Sequence, residues 1–153
     1  MPQIPNRTKT LYFTQSIDLA NDDLRIALYD DSTAFSFDPD VHEFVGDVLD
    51  GGTTAAEPTD ASYARQSLTG QSVTQNNTDD QAVFDADDVT FPDLETTGDI
   101  QGLIVFRQET DDTDSTIAFV IDSADTTDLP VETNGTDFVI EWSADGVQIA
   151  SEV

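Results

Sequence analysis

Ile100 to Gln108 is apolar on both faces in its middle, through Leu103-Ile104-Val105-Phe106, and Thr116 to Asp122 resembles it. A strand of this kind suits the centre of a sheet that is covered on two sides. The link between the two runs, Glu109 to Ser115, is polar and acidic. The pair therefore predicts an antiparallel hairpin at the heart of a sheet.

Around this hairpin the apolar period is two. Leu24, Ile26 and Leu28 share one face of a strand whose other face carries Arg25, Ala27 and Tyr29. Leu68 to Thr74, Ala82 to Asp85 and Val89 to Phe91 read as short strands, the first two forming a hairpin around Asn76-Asn77. Phe138, Ile140 and Trp142 alternate with Asp137, Val139 and Glu141 in a further strand after the Asn134-Gly135 turn. Gly146 to Ala150 is expected to return beside it. One helix is expected: Asp38 as N-cap, Pro39 at its first position, and a stripe of Val41, Phe44, Val45, Val48 and Leu49 ended by Gly51-Gly52. Asp50 to Arg65 has no apolar period and reads as an exposed loop. The sum is a mainly β fold, an antiparallel β-sandwich or barrel of about seven or eight strands with one short helix. The expected organisation is an N-terminal arm or docking segment over 1–20 and one β-rich domain over 21–153.

Charge narrows the setting. Five basic residues stand against 32 acidic ones, for a formal charge of −27. Self-repulsion of that size opposes compaction in dilute buffer and is screened in molar salt, where the Debye length falls to about 3 Å. The pattern is that of a protein from a halophile or a virus of one. Disorder does not fit a chain that is 37% hydrophobic with nine Phe. Mimicry of nucleic-acid phosphates does not fit acids clustered in turns such as Asp79-Asp80 and Asp111-Asp112. The absence of cysteine excludes disulfides, thiolate metal sites and a cysteine nucleophile. No apolar stretch approaches the ~20 residues that cross a bilayer, and the first ten residues lack a signal-type apolar region, so synthesis in the host cytoplasm is expected.

Chemistry-bearing motifs are sparse. No nucleophile elbow, phosphate loop, paired histidines or dinucleotide fingerprint occurs. The single histidine, His42, falls on the flank of the expected helix, where a surface position is the simplest reading, ahead of metal ligation or general base catalysis. Asp85, Asp87 and Asp88 offer oxygen ligands suited to Ca²⁺, without the glycine and distal glutamate of an EF-hand. Leu11, Tyr12, Phe13 and Ile17 form an apolar N-terminal group outside the strand pattern and are interface candidates.

Leu24-Arg25-Ile26-Ala27-Leu28, Phe37-Asp38-Pro39-Asp40-Val41-His42-Glu43-Phe44 with Asp47-Val48, Phe84-Asp85-Ala86-Asp87-Asp88-Val89-Thr90-Phe91, and Phe138-Val139-Ile140-Glu141-Trp142 before Gly146-Val147 follow in order. This succession, from about Leu11 to Ala150, resembles a family of small virion structural proteins of tailed bacteriophages, with relatives in haloarchaeal tailed viruses. The resemblance implies a non-enzymatic capsid decoration or turret component, located in the virion. It would assemble with itself as a trimer or pentamer and dock on the major capsid protein or another virion structural protein, with no nucleic-acid or membrane partner and no obligatory cofactor. A tail or baseplate protein is the alternative within this class, and a calcium-dependent binding or adhesion module the alternative outside it.

Overall fold

The computed structural model describes residues 2–79, 81–96 and 98–142 and the backbone of 147–149. The described chain is mainly β, with every pairing antiparallel. Its largest sheet joins β1 (Leu24–Asp30), β2 (Gln66–Ser67), β6 (Ile100–Arg107) and β7 (Ile117–Asp122) in the order β2-β1-β6-β7. The doubly apolar runs are β6 and β7, paired as the sequence predicts, with β6 internal to the sheet. A three-stranded sheet holds β3 (Ser72–Asn76), β4 (Gln81–Asp85) and β9 (Val147–Ile149) in the order β3-β4-β9. A two-stranded sheet pairs β5 (Val89–Leu94) with β8 (Thr136–Ile140).

Each face of the main sheet has its own apolar layer. Leu24, Ile26 and Leu28 of β1, with Leu103, Val105 and Phe119, meet Phe84, Val89, Phe91 and Leu94 from the smaller sheets. Ring contacts tie this layer: Phe84 meets Phe119 edge-on at 5.7 Å and Trp142 at 5.9 Å. The opposite face, carrying Ala27, Tyr29, Ile104, Phe106, Ile117 and Val120, is covered by Phe37, Val45, Val48, Leu49 and Ala55. That cover is irregular chain. Only Val45–Val48 forms a helical turn, α2.

The expected helix from Asp38 is thus corrected. A turn at 39–41 leaves Val41 58% exposed, and Phe44 is extended and bridges Thr116 before α2 begins. The local reason is visible in the hydrogen bonds. The Asp38 amide donates to His42 Nδ1 at 2.9 Å, and Asp38 Oδ1 accepts the Asp40 amide, a side-chain turn that competes with helix initiation. Asp47 Oδ2 then accepts both the Glu43 and Phe44 amides and starts the short α2 instead.

Three further expectations change. The 68–74 strand is broken at Gly70, which has φ +65°, so β2 ends at Ser67 and β3 begins at Ser72. The 50–65 loop is anchored, not merely exposed: Ala55 is fully buried, and the Tyr63 ring stacks on Phe91 at 5.9 Å while its hydroxyl accepts the Leu28 amide. The final strand pairs with β4, as Ala82↔Ile149, and not beside β8. The turn at 143–146 expected to return the chain beside β8 lies outside the described residues.

A helix that periodicity did not reveal, α1 (Asn6–Phe13), packs the N-terminal segment onto this chain's own core. Thr8 is fully buried and donates to the Ile117 carbonyl, and the Tyr12 hydroxyl donates to the Ala118 carbonyl at 3.1 Å. Gln15, at φ +55°, closes the helix in the left-handed region usually held by glycine. Ahead of α1, Gln3 exchanges two 2.8 Å backbone hydrogen bonds with Val120 and so covers the outer edge of β7. On the opposite side β2 and the Asp30↔Ala56 bridge cover β1. Both edges of the main sheet are therefore paired by short segments, which blunts edge-to-edge association.

Candidate functional site

The end of the main sheet where β1 and β7 stop and β6 starts is hollow. A cleft of about 320 Å³ is lined there by Tyr29, Asp30, Asp31, Phe35, Gln101 and Asp122, with Thr33, Ala34 and Ser123 at its rim. Two local departures from regular strand build it. The β1–β6 register slips between Tyr29 and Asp30, which leaves Gln101 without a partner and turns it toward the cleft. Opposite Tyr29 lies Gly102, and the missing side chain gives the tyrosine ring room to cross β6. A Cβ at Gly102 would stand 2.5 Å from Tyr29 Cζ and 2.6 Å from the Ile121 carbonyl oxygen.

The polar groups of the cleft are partly committed. Asp30 is 2% exposed and its Oδ1 accepts the Ser32 amide at 2.9 Å, while Oδ2 accepts no hydrogen bond among the described residues. Asp31 Oδ1 accepts the Asp99 amide at 3.1 Å. Asp122 is held from both sides, Oδ2 by Gln3 Nε2 and Oδ1 by the Ala124 amide, each at 2.8 Å. Tyr29 is 3% exposed, its ring is edge-on to Phe35 at 5.1 Å, and its hydroxyl has no hydrogen-bond partner among the described residues. Burial, reinforced by the charges of Asp122 and Asp125, pushes that hydroxyl well above the ordinary tyrosine range. It is a neutral phenol at any working pH.

No cation of the described chain enters this cleft. Arg65 hydrogen-bonds Glu57 and Asp112, Arg107 pairs with Asp22 and Glu109, and Arg25 with Asp23. Arg7 lies over the Phe44 ring at 4.9 Å, and Lys9 donates to Asn6.

The residues singled out by sequence lie elsewhere. Asp85 Oδ1 accepts the adjacent Ala86 amide, and Asp87 Oδ2 accepts the Thr69 hydroxyl at 2.9 Å against Gly70. Asp88 is exposed beside them. No group of three or more carboxylates or histidines suited to a metal converges among the described residues. His42 sits half-buried between Phe35 and Phe37, at 5.3 and 5.6 Å, and its Nδ1 accepts a hydrogen bond, so a neutral ring carries its proton on Nε2. Of the interface candidates, Ile17 is buried in this chain's core, Leu11 and Tyr12 are half-buried against it, and Phe13 is 88% exposed.

The cleft escaped sequence reading because its residues come from three distant segments, 29–35, 101 and 122–123. The one available signal was Gly102, a glycine near the start of the apolar inner strand. Comparison with family models, curated proteins and solved structures yields no match for this chain.

Proposed function

We propose that this protein is a non-enzymatic virion structural protein of a halophilic archaeal tailed virus, a capsid decoration or turret component. One observation carries the reading beyond the sequence resemblance. The segments that hold the resemblance supply the walls of both apolar layers: 24–28 lies in β1, 37–48 covers the second face, and 84–91 and 138–142 close the first. These motifs therefore occupy core-forming segments, where a family's architecture would be encoded. The covered sheet edges and the acidic surface suit a block that stays soluble in molar salt until it docks.

In this reading the protein assembles as a cyclic trimer or pentamer on the major capsid protein or another virion structural protein. Light scattering of the purified protein at about 3 M and about 0.15 M NaCl tests it. A discrete trimer or pentamer at high salt that dissociates or unfolds at low salt supports it, and a salt-indifferent monomer counts against it. Antibody labelling of purified particles then separates head from tail and baseplate. A large calcium-dependent gain in stability at high salt would favour a binding module instead.

A further inference from the structure

We propose that the cleft at the end of the main sheet binds an organic cation, a guanidinium or primary ammonium group, between Asp30, Asp31 and Asp122, with the Tyr29 hydroxyl accepting one of its N–H groups and the Phe35 ring flanking it. Acidity alone does not carry this, since acidic turns cover the chain. Two features separate the cleft from those turns. Asp30 and Tyr29 are almost fully buried, yet Asp30 Oδ2 and the Tyr29 hydroxyl lack partners among the described residues and both residues line the same hollow. The little surface these two residues keep opens onto the hollow, so a donor seated there would reach both oxygens.

The charge of the lining favours a cationic donor. Three carboxylate residues line the hollow, and none of them forms an ion pair among the described residues. A bare metal ion fits poorly, because no three of these groups close on one point. A planar or branched nitrogen cation, by contrast, spreads its N–H donors over several ångströms and uses an aromatic neighbour. The volume, about 320 Å³, matches a small organic head group. The same chemistry arises from a free amine or from an arginine or lysine side chain of another protein.

The test is two-dimensional NMR of the ¹⁵N-labelled full chain in molar KCl, titrated separately with agmatine, with a short arginine-containing neutral peptide, and with Mg²⁺. Saturable shifts at the Asp31, Asp99 and Ser123 amides on adding agmatine are expected, and their midpoint should rise about tenfold in Tyr29→Phe and in Asp31→Asn. Neither change disturbs the hydrophobic layers, and unchanged amide spectra elsewhere verify the fold. Saturation by the peptide alone would assign the cation to a partner chain and still support the site. Shifts produced by Mg²⁺ that block agmatine, shifts indifferent to both variants, or no saturable shift with either organic probe would overturn the proposal.

Discussion

Arg65 and Asp112, 47 residues apart in sequence, face each other through two hydrogen bonds, Nη1 to Oδ1 at 2.6 Å and Nη2 to Oδ2 at 2.8 Å. The same guanidinium grips Glu57 through Nε and Nη2 and lies over the Phe106 ring at 5.5 Å. One side chain thus pins the 50–65 loop to the β6–β7 turn. Its two carboxylate partners raise its affinity for the proton further above the ordinary arginine range.

Replacing Arg65 with Met should cost about 1–3 kcal/mol, since both carboxylates lose a partner at partly buried positions. Arg65→Lys should recover less than half of that, because an ammonium cannot serve two carboxylates with paired donors. Urea unfolding in molar salt measures both values. A Met variant as stable as wild type would show that the clamp is incidental.

Gly102→Ala should be among the most damaging single changes in the chain. Its Cβ meets the Tyr29 ring and the backbone oxygen of Ile121, and backbone cannot swing aside as a flexible side chain can. A loss of about 1–3 kcal/mol or more is expected, roughly 2–4 °C in Tm for each kcal/mol. Adding Tyr29→Phe should not restore it, because Cζ stays in place. Calorimetry of the single and double variants checks both points.

Acid should destabilise the fold through particular turns. Hydrogen bonds from the Thr54 amide and hydroxyl and the Thr53 amide hold the Asp50 carboxyl below the usual range, and the Thr113 hydroxyl and amide do so for Asp111. Because the folded-state pKa is the lower one, each contributes stability that is whole well above the unfolded value of about 4 and is lost as pH falls through the folded value. The double variant Asp50→Asn, Asp111→Asn keeps an oxygen acceptor at each turn without titrating. Its Tm should fall less steeply than wild type between about pH 4 and 2. Parallel curves would remove these turns from the acid response.

The N-terminal segment offers a sharp internal contrast. Ile17→Ala, at a buried position, should cost about 2–4 kcal/mol. Phe13→Ser, at an exposed one, should change stability by less than about 0.5 kcal/mol. Deleting residues 1–13 removes Gln3 from Val120 and strips the outer edge of β7, so self-association should rise in light scattering. A truncated chain that stays monodisperse and equally stable would show that the edge needs no cover.

Much of the fold was legible because apolar pattern maps directly onto burial. The two-sided run at Leu103 to Phe106 became the inner strand, and Asn76-Asn77 and Asn134-Gly135 became turns. Three of the errors share one cause. At 38–44, at Gly70 and in the 50–65 loop, Asp and Thr side chains bond to nearby backbone or to distant residues, and no periodicity records those bonds. The helix α1 was hidden for a related reason. It buries a threonine and docks a tyrosine through hydroxyls, so its inner face carries little apolar signal. The candidate cleft required a register slip and an empty position on a neighbouring strand, both properties of pairing between distant segments.

Only one face of the main sheet is roofed by other strands. Over the second, residues 35–55 lie as irregular chain pinned at a few points, Val45 and Ala55 among them. A cover of that kind is modular. Lengthening it between anchor points carries a closure penalty that grows only logarithmically, about 0.6 kcal/mol per doubling. A lineage can therefore rewrite this surface, its shape and its binding preferences, while the strands beneath keep their register.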